Sequence, residues 1–382
     1  MSARTELERV ATPALLVDGP TVMRNAAAMA ARARAAGVEH RPHTKTHKSI
    51  AIARLQRDAG AAGMTVATLR EAERLAAEGF DDLLVAYPPV GPTRLERLVE
   101  LADTARVRVV LDNIESVRAL DGACRNARVH VGYLWEVECG TQRCGTEPGE
   151  PTAALVAQAG ELATTAEYAG LMAFAGHAYL AASRDEIGEA AAAEARAVTE
   201  TADALASLGI ETQALSVGTT PTAHHLERQA GVTEIRAGNY VFNDATQVAL
   251  EVASPSDCAL AVLATVVSRP DPLRVILDCG SKALAAERLT PRTAGFGFVP
   301  GHPELTVERL FEEHAILVSE TPCDLPLGAR VRVIPNHSCA TANLHERMLV
   351  LEDDEVVDIW TVDARGWDRY PSRPAKRRAR IA

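Results

Sequence analysis

The chain has 382 residues, a formal net charge of −11 and 47% hydrophobic residues, so it has material for about two domains with sizeable cores and lacks the basic face that nucleic acid or an anionic membrane demands. No run of eighteen apolar residues occurs, and the seven cysteines are scattered without a C-x-x-C pair. The first nine residues, Met1-Ser-Ala-Arg-Thr-Glu-Leu-Glu-Arg9, carry charges where a signal peptide is apolar; no membrane span and a reducing, cytoplasmic setting are expected.

Thr12-Pro-Ala-Leu-Leu-Val-Asp18 reads as a strand that belongs with a second domain rather than with the helices and strands directly after it. From residue 20 to about 250, strand patterns alternate with helical ones. The strands are Val38–His43, Met64–Thr68, Leu83–Tyr87, Val107–Asp112, Val129–Val137, Gly170–Ala175, Thr212–Val217 and Thr233–Arg236. Segments such as Leu69–Glu78, Arg94–Ala102, Thr152–Thr164 and Glu186–Leu208 have helical apolar spacing. Eight such units predict an α/β fold, a (β/α)8 TIM barrel rather than an open doubly wound sheet. Over 251–370 the texture becomes strand-rich: Ala259–Ser268, Leu273–Leu277, Ala315–Val318, Arg330–Ile334, Arg347–Leu351 and Val356–Val362, separated by turn signals such as Arg269-Pro-Asp-Pro272. This predicts a C-terminal antiparallel β domain, with residues 12–18 joining it. Residues 371–382, with Lys376-Arg-Arg-Ala-Arg380, read as a basic tail.

Only Lys45, Lys48, Lys282 and Lys376 among forty basic residues are lysines, and two of them share the run Arg41-Pro-His-Thr-Lys-Thr-His-Lys48 after the first barrel strand. A chain that uses arginine for surface charge keeps lysine where an amine must lose a proton or bond a carbonyl. Neighbouring positive charge (Arg41, His43, His47, Lys48) would lower the pKa of Lys45. The same run also reads as a plain basic strand end. Ser216-Val-Gly-Thr-Thr-Pro-Thr222 and Arg236-Ala-Gly-Asn-Tyr240 follow the seventh and eighth strands, where barrels place phosphate. Gly218, Thr219, Thr220, Gly238, Asn239 and Tyr240 are the candidate contacts. A lysine anchor with a phosphate handle points to pyridoxal 5′-phosphate. Arg143 is placed to reach a phenolic oxygen, and His177 and Tyr179 to stack on or bond to a ring; each reads equally as an ordinary loop residue.

In the second domain, Pro335-Asn-His-Ser-Cys339 sets His337 and Cys339 two apart, on one face if the strand continues, as two ligands of a divalent metal would be. Imidazole with thiolate favours zinc. His314 is an additional polar group near that site, His224-His225 reads as surface, and Gly295-Phe-Gly297 as a turn.

The sequence resembles the D-threonine aldolase and D-serine dehydratase family, which shares its barrel-plus-β-domain architecture with alanine racemase. The resemblance rests on Pro42-His-Thr-Lys-Thr-His-Lys48, Gly140-Thr-Gln-Arg-Cys-Gly145, Gly218-Thr-Thr-Pro-Thr222, Gly238-Asn-Tyr240, Leu277-Asp-Cys-Gly-Ser-Lys282, Glu312-Glu-His314 and Asn336-His-Ser-Cys339. It implies a pyridoxal-phosphate and metal-dependent lyase acting on D-configured 3-hydroxy amino acids, in a homodimer. Lys45 would carry the cofactor and act as base, Arg143 and Arg236 would face its phenolic oxygen and pyridine nitrogen, and His337 and Cys339 would bind the metal, with manganese the alternative to zinc. In the resemblance, His-x-Cys goes with zinc and dehydration and His-x-Asp with aldol cleavage. The cysteine therefore points to elimination of water, giving a 2-oxo acid and ammonia, with cleavage to glycine and an aldehyde second. An amino-acid racemase and a non-catalytic cofactor carrier stand further off.

Overall fold

The computed structural model describes residues 5–366; the basic run Lys376–Arg380 lies outside them. Eight strands, Glu39–His40, Met64–Val66, Asp82–Val85, Arg106–Leu111, Gly132–Val137, Glu167–Ala173, Ala214–Val217 and Glu234–Ile235, pair in parallel in spatial sequence, with the last returning to the first. The ring closes where His43 bridges Thr65 and the Thr65 N–H donates to the Pro42 carbonyl at 2.9 Å. All eight expected strands are present, so the barrel is the observed architecture. Helices fill the connections; Leu69–Ala76, for example, starts where the Thr68 hydroxyl accepts the Glu71 N–H and satisfies an orphan donor.

Strand alternation layers the barrel interior. Leu84, Val110, Leu134, Met172 and Ala214 form a buried apolar plug. Two residues N-terminal on the same strands stand Asp82 and Arg108, which with Arg41 and Glu234 make a charged layer; Arg41 is 2% exposed, with its Nε 2.6 Å from Glu234. Two residues C-terminal stand Ala86, Glu136, Phe174 and Ser216. The plug thus separates a structural charged end from an end open to chemistry.

The second sheet is mostly antiparallel. Leu260–Asp271 pairs with Arg274–Leu277, Arg330–Pro335 and Ala14–Asp18, and Arg347–Glu352 adds in parallel to Ala14–Asp18. The early strand belongs to this sheet, as its sequence context suggests. Three readings need correction. Leu260–Asp271 runs through Arg269-Pro-Asp, because register shifts after Val266 and Ser268 let proline sit in an irregular strand end. Gly297–Phe298 is a short strand rather than a turn, where a Cβ on Gly297 would meet the Ile334 carbonyl at 2.4 Å. Thr306–Leu310 is a strand the pattern hid, since Val307 alone among its residues is buried.

Candidate active site

The C-terminal end of the barrel and the second sheet's Ser338–Leu344 helix enclose a cavity of about 660 Å³. It is lined by Lys45, Arg143, His177, Tyr179, Gly218, Thr219, Thr220, Arg236, Gly238, Asn239, His337 and Cys339. Twelve of the thirteen expected site residues therefore meet in one place. Tyr240 is the exception: its backbone N–H donates to Thr220 Oγ1 at 3.1 Å, while its hydroxyl accepts from Gln56 Nε2 at 2.9 Å and its ring lies edge-on to His40. It supports the loop from behind.

Lys45 occupies a short 3-10 turn, Thr44–Thr46, that ends the first barrel strand. Its pKa is lowered, as expected, but by a different cause. Burial is the largest, with Arg143 and Arg236 adding to it against Cys339 and Glu71. The sequence neighbours contribute otherwise. His43 and His47 are themselves held low by burial, His47 near 4, Arg41 faces the charged end of the barrel, and Lys48 points to Glu71. Gly238 lets the eighth loop approach this turn: a Cβ there would lie 2.6 Å from the His43 carbonyl.

Arg236 is buried, with Nη1 donating to Ser216 Oγ at 2.6 Å and Nη2 to the Ala173 carbonyl at 2.7 Å; the Ser216 hydroxyl in turn donates to Glu234. Arg143 lies over the Phe174 ring at 4.5 Å and pairs with Glu136 at 3.2 Å. His177 is half-buried, with Nδ1 3.4 Å from Thr141 Oγ1, and burial lowers its pKa. In the first phosphate-type loop, the Gly218 and Thr219 N–H groups are directed inward, to Glu194 and to Thr222 Oγ1. Glu194 also accepts from Ala175 N and Gln229 Nε2, and burial raises its pKa to about 7.

His337 and Cys339 do not share a strand face. The strand stops at Pro335, and His337 caps a helix whose first turn carries Cys339. The pair still meets, because cap and first turn present both side chains to the cavity. His337 Nδ1 bonds to Glu287, which leaves Nε2 for a metal or for Cys339, and Cys339 Sγ lies 3.2 Å from Thr46 Oγ1. Burial pushes the Cys339 thiol up, but His337 and Thr46 outweigh it and hold it below the ordinary thiol range; His337 is pushed up to about 10 by Cys339 and Glu287 against its burial. Asp244 bonds the Ser338 N–H at 2.9 Å and Asn239 Nδ2 at 2.6 Å, joining this turn to the eighth barrel loop.

Glu287, Asp244, Glu194 and Phe174 carry no motif signal, being single acidic or aromatic residues in unremarked positions. His314 is exposed and does not line the cavity. His225, expected at the surface, is buried at 8% exposure, and its neighbour His224 is lowered to about 4 by burial. A separate group, His302, Glu304 and Cys323, brings ligand atoms within 4.8 Å of one another; His302 and Glu304 already bond each other at 3.1 Å. Among the described residues no helix is long and apolar enough to cross a membrane.

A parallel barrel with a lysine at its first strand end and a β domain built partly from the chain's own N-terminal strand defines the alanine-racemase-like class. Residues 17–246 match the family model "Alanine racemase, N-terminal domain", and residues 259–351 match "Putative serine dehydratase domain". The chain belongs to the D-threonine aldolase and D-serine dehydratase family. It is 35% identical to a D-threonine aldolase of Arthrobacter sp over 95% of both chains, and 33% identical to D-threo-3-hydroxyaspartate dehydratase of Delftia sp. strain HT23 over 91% of this chain and 96% of that one. Among solved structures, D-threonine aldolase from Filomicrobium marinum superposes with a TM-score of 0.87 at 32% identity, covering 96% of this chain and 99% of that one. A D-threo-3-hydroxyaspartate dehydratase in which a cysteine is replaced by alanine, in its metal-free form, superposes with a TM-score of 0.88 at 31% identity, covering 96% of this chain and all of that one. The histidine replaced in a companion structure stands two positions before that cysteine, the spacing of His337 and Cys339.

Proposed function

We propose that this protein is a pyridoxal-phosphate and zinc-dependent lyase that removes water from D-3-hydroxy amino acids. The observation that carries the reading is that Lys45 and the His337–Cys339 pair face a single cavity. The cavity also fits an anionic cofactor, because Lys45, Arg143 and Arg236 converge in a chain whose net charge is −11. His43 Nδ1, buried there without a hydrogen-bond partner, suits a stacked or polar ring neighbour. Imidazole with thiolate suits zinc better than magnesium or calcium.

When bound, pyridoxal phosphate supplies an electron sink for the α-carbon and zinc a Lewis acid for the 3-hydroxyl. Lys45, its pKa held low by burial, would hold the cofactor through its neutral amine and would take the α-proton at Nζ. Arg236 would hold the pyridine-nitrogen side of the cofactor, where its positive charge would disfavour ring protonation and make assistance at the leaving group more important. His337 and Cys339 would hold the metal, with Glu287 fixing the imidazole. Thr220, Gly238 and Asn239 would hold the phosphate, Arg143 the phenolic oxygen, and His177 would move protons at the rim. The Delftia relative favours dehydration, through the His-x-Cys spacing; the Arthrobacter relative, at slightly higher identity, favours aldol cleavage as the second reading. The homodimer implied by the resemblance is part of the proposal.

Protein loaded with pyridoxal phosphate and zinc should convert D-threonine to 2-oxobutyrate and ammonia, read by mass. Glycine with acetaldehyde would instead establish the aldolase. Lys45→Ala should abolish the absorbance band of the lysine-bound cofactor; a retained band would refute its role.

A further inference from the structure

Lys48 is the second lysine of the run that contains Lys45, and the lyase chemistry makes no use of it. Its ammonium is set among three oxygens: Asn343 Oδ1 at 2.9 Å, the Gly366 carbonyl at 3.3 Å and Glu71 Oε1 at 3.6 Å. Three converging acceptors suit the three donors of an ammonium, whereas a planar guanidinium fork would not fit them. That accounts for lysine here in a chain whose forty basic residues include only four lysines. The Lys48 side chain is 12% exposed and the Glu71 side chain 1%.

The backbone at Lys48 is unusual as well. Its φ is 50°, left-handed for a residue with a Cβ, and it is held by its N–H to the Thr44 carbonyl at 2.7 Å and by Ala364 N–H to its carbonyl at 3.1 Å. Two residues on, the Ile50 N–H donates to Asp363 at 2.8 Å. The turn carrying Lys45 is thus built on the barrel but fastened to the second domain. Asn343 lies one helical turn after Cys339, so both project from the same side of Ser338–Leu344 toward this turn, where Cys339 also meets Thr46.

We propose that Lys48 is a positioning residue: its ammonium fastens the Lys45 turn to the Cys339 helix and so fixes the reach from the cofactor lysine to the metal pair. The inference rests on the proposed lyase reading. A misplacement of about 1 Å between groups that act on the α-carbon and on the 3-hydroxyl is enough to cost up to about 100-fold in rate.

The test uses protein loaded with pyridoxal phosphate and zinc, as wild type, Lys48→Met, Lys48→Arg, Asn343→Ala and the Lys48→Met/Asn343→Ala double variant. Each is measured for the lysine-bound cofactor band, for zinc affinity by chelator competition, and for kcat and KM with D-threonine. We expect every variant to keep the band while kcat falls about 10- to 100-fold and KM stays within roughly threefold. Zinc affinity should weaken about tenfold, as for loss of a group that orients ligands. Lys48→Arg should not rescue, and the double variant should lose less than the product of the single losses, since the Lys48–Asn343 contact is already lost in each. Rescue by arginine, unchanged zinc affinity, or losses that multiply in the double variant would overturn the assignment. If Lys48→Met does not fold, Asn343→Ala decides, because wild-type kcat and zinc affinity in that variant overturn it as well. A wild type without the cofactor band or without lyase products overturns the proposed function, and this inference falls with it; an active wild type with unaltered variants overturns this inference alone.

Discussion

The most informative single position is Cys339, because its side chain answers to both halves of the cavity: Thr46 beside Lys45, and His337, its partner in the proposed metal pair. Cys339→Ala should lower zinc stoichiometry and activity together; full zinc content by elemental analysis would remove it from the metal site. Glu194 makes a different prediction. Burial raises its pKa from 4.5 to about 7, so the protonated form is the one the fold favours. Its stabilising contribution is complete below the unfolded value and is lost as pH rises through about 7, a loss on the order of 3 kcal/mol. Glu194→Gln should flatten the fall in thermal midpoint between about pH 5 and about pH 8, and Gln229, whose Oε1 lacks a partner, can turn its amide to accept the new donor. An unchanged pH profile would show that Glu194 does not titrate there. At this scale the sequence disclosed residues that break a habit, such as lysine among arginines or a histidine two places from a cysteine. Glu194, Glu287 and Asp244 break none, and their importance comes wholly from what the fold sets beside them.

Elements with strong periodicity were legible to within a few residues, as Met64–Val66 and Arg184–Ser207 illustrate. Hydrophobic alternation and helical spacing are local, so the sequence carries them directly. The strand-to-helix switch after Pro335 was not legible, because His-Ser-Cys-Ala-Thr suits either state and the choice is made by contacts far away: Asp244 on the Ser338 N–H and Thr341 Oγ1 on the Leu284 carbonyl. Asp121 shows the same dependence on distant partners. Its Oδ1 accepts the N–H groups of Thr164, Thr165 and Ala166 at 2.7, 2.6 and 3.1 Å, tying the helix Ile114–Ala127 to the lead-in of Glu167–Ala173. Although burial raises the Asp121 pKa, these donors outweigh it and hold the carboxyl below its ordinary range. Asp121→Ala leaves three donors without an acceptor and should cost about 2 kcal/mol, lowering the thermal midpoint without changing kcat. A midpoint equal to wild type would mean that water replaces the carboxylate.

For the whole molecule, the count of eight strands favoured a barrel over an open sheet without deciding closure, which the pairing of the last strand with the first shows; the relation of the two sheets was not legible, since it depends on side-chain contacts such as Lys48 with Asn343. The cavity opens beside Leu180, which is 66% exposed, and the second subunit of the proposed homodimer would cover that side chain. Light scattering should therefore give twice the 40.7 kDa chain mass, and a monomer at assay concentration would remove the dimer from the proposal. The strand Ala14–Asp18 has a further consequence. Leu16 pairs with Ala261 on one side and Leu349 on the other, so this strand meets neither neighbour until residues far downstream of it have been made. The barrel's neighbouring strands can pair as they emerge, but the second sheet closes only after the whole barrel and the strand Arg347–Glu352 have been made. A chain stalled after the barrel would then hold the apolar strand Ala14–Asp18 unpaired, a species that chaperones would have to shield and that lacks His337 and Cys339.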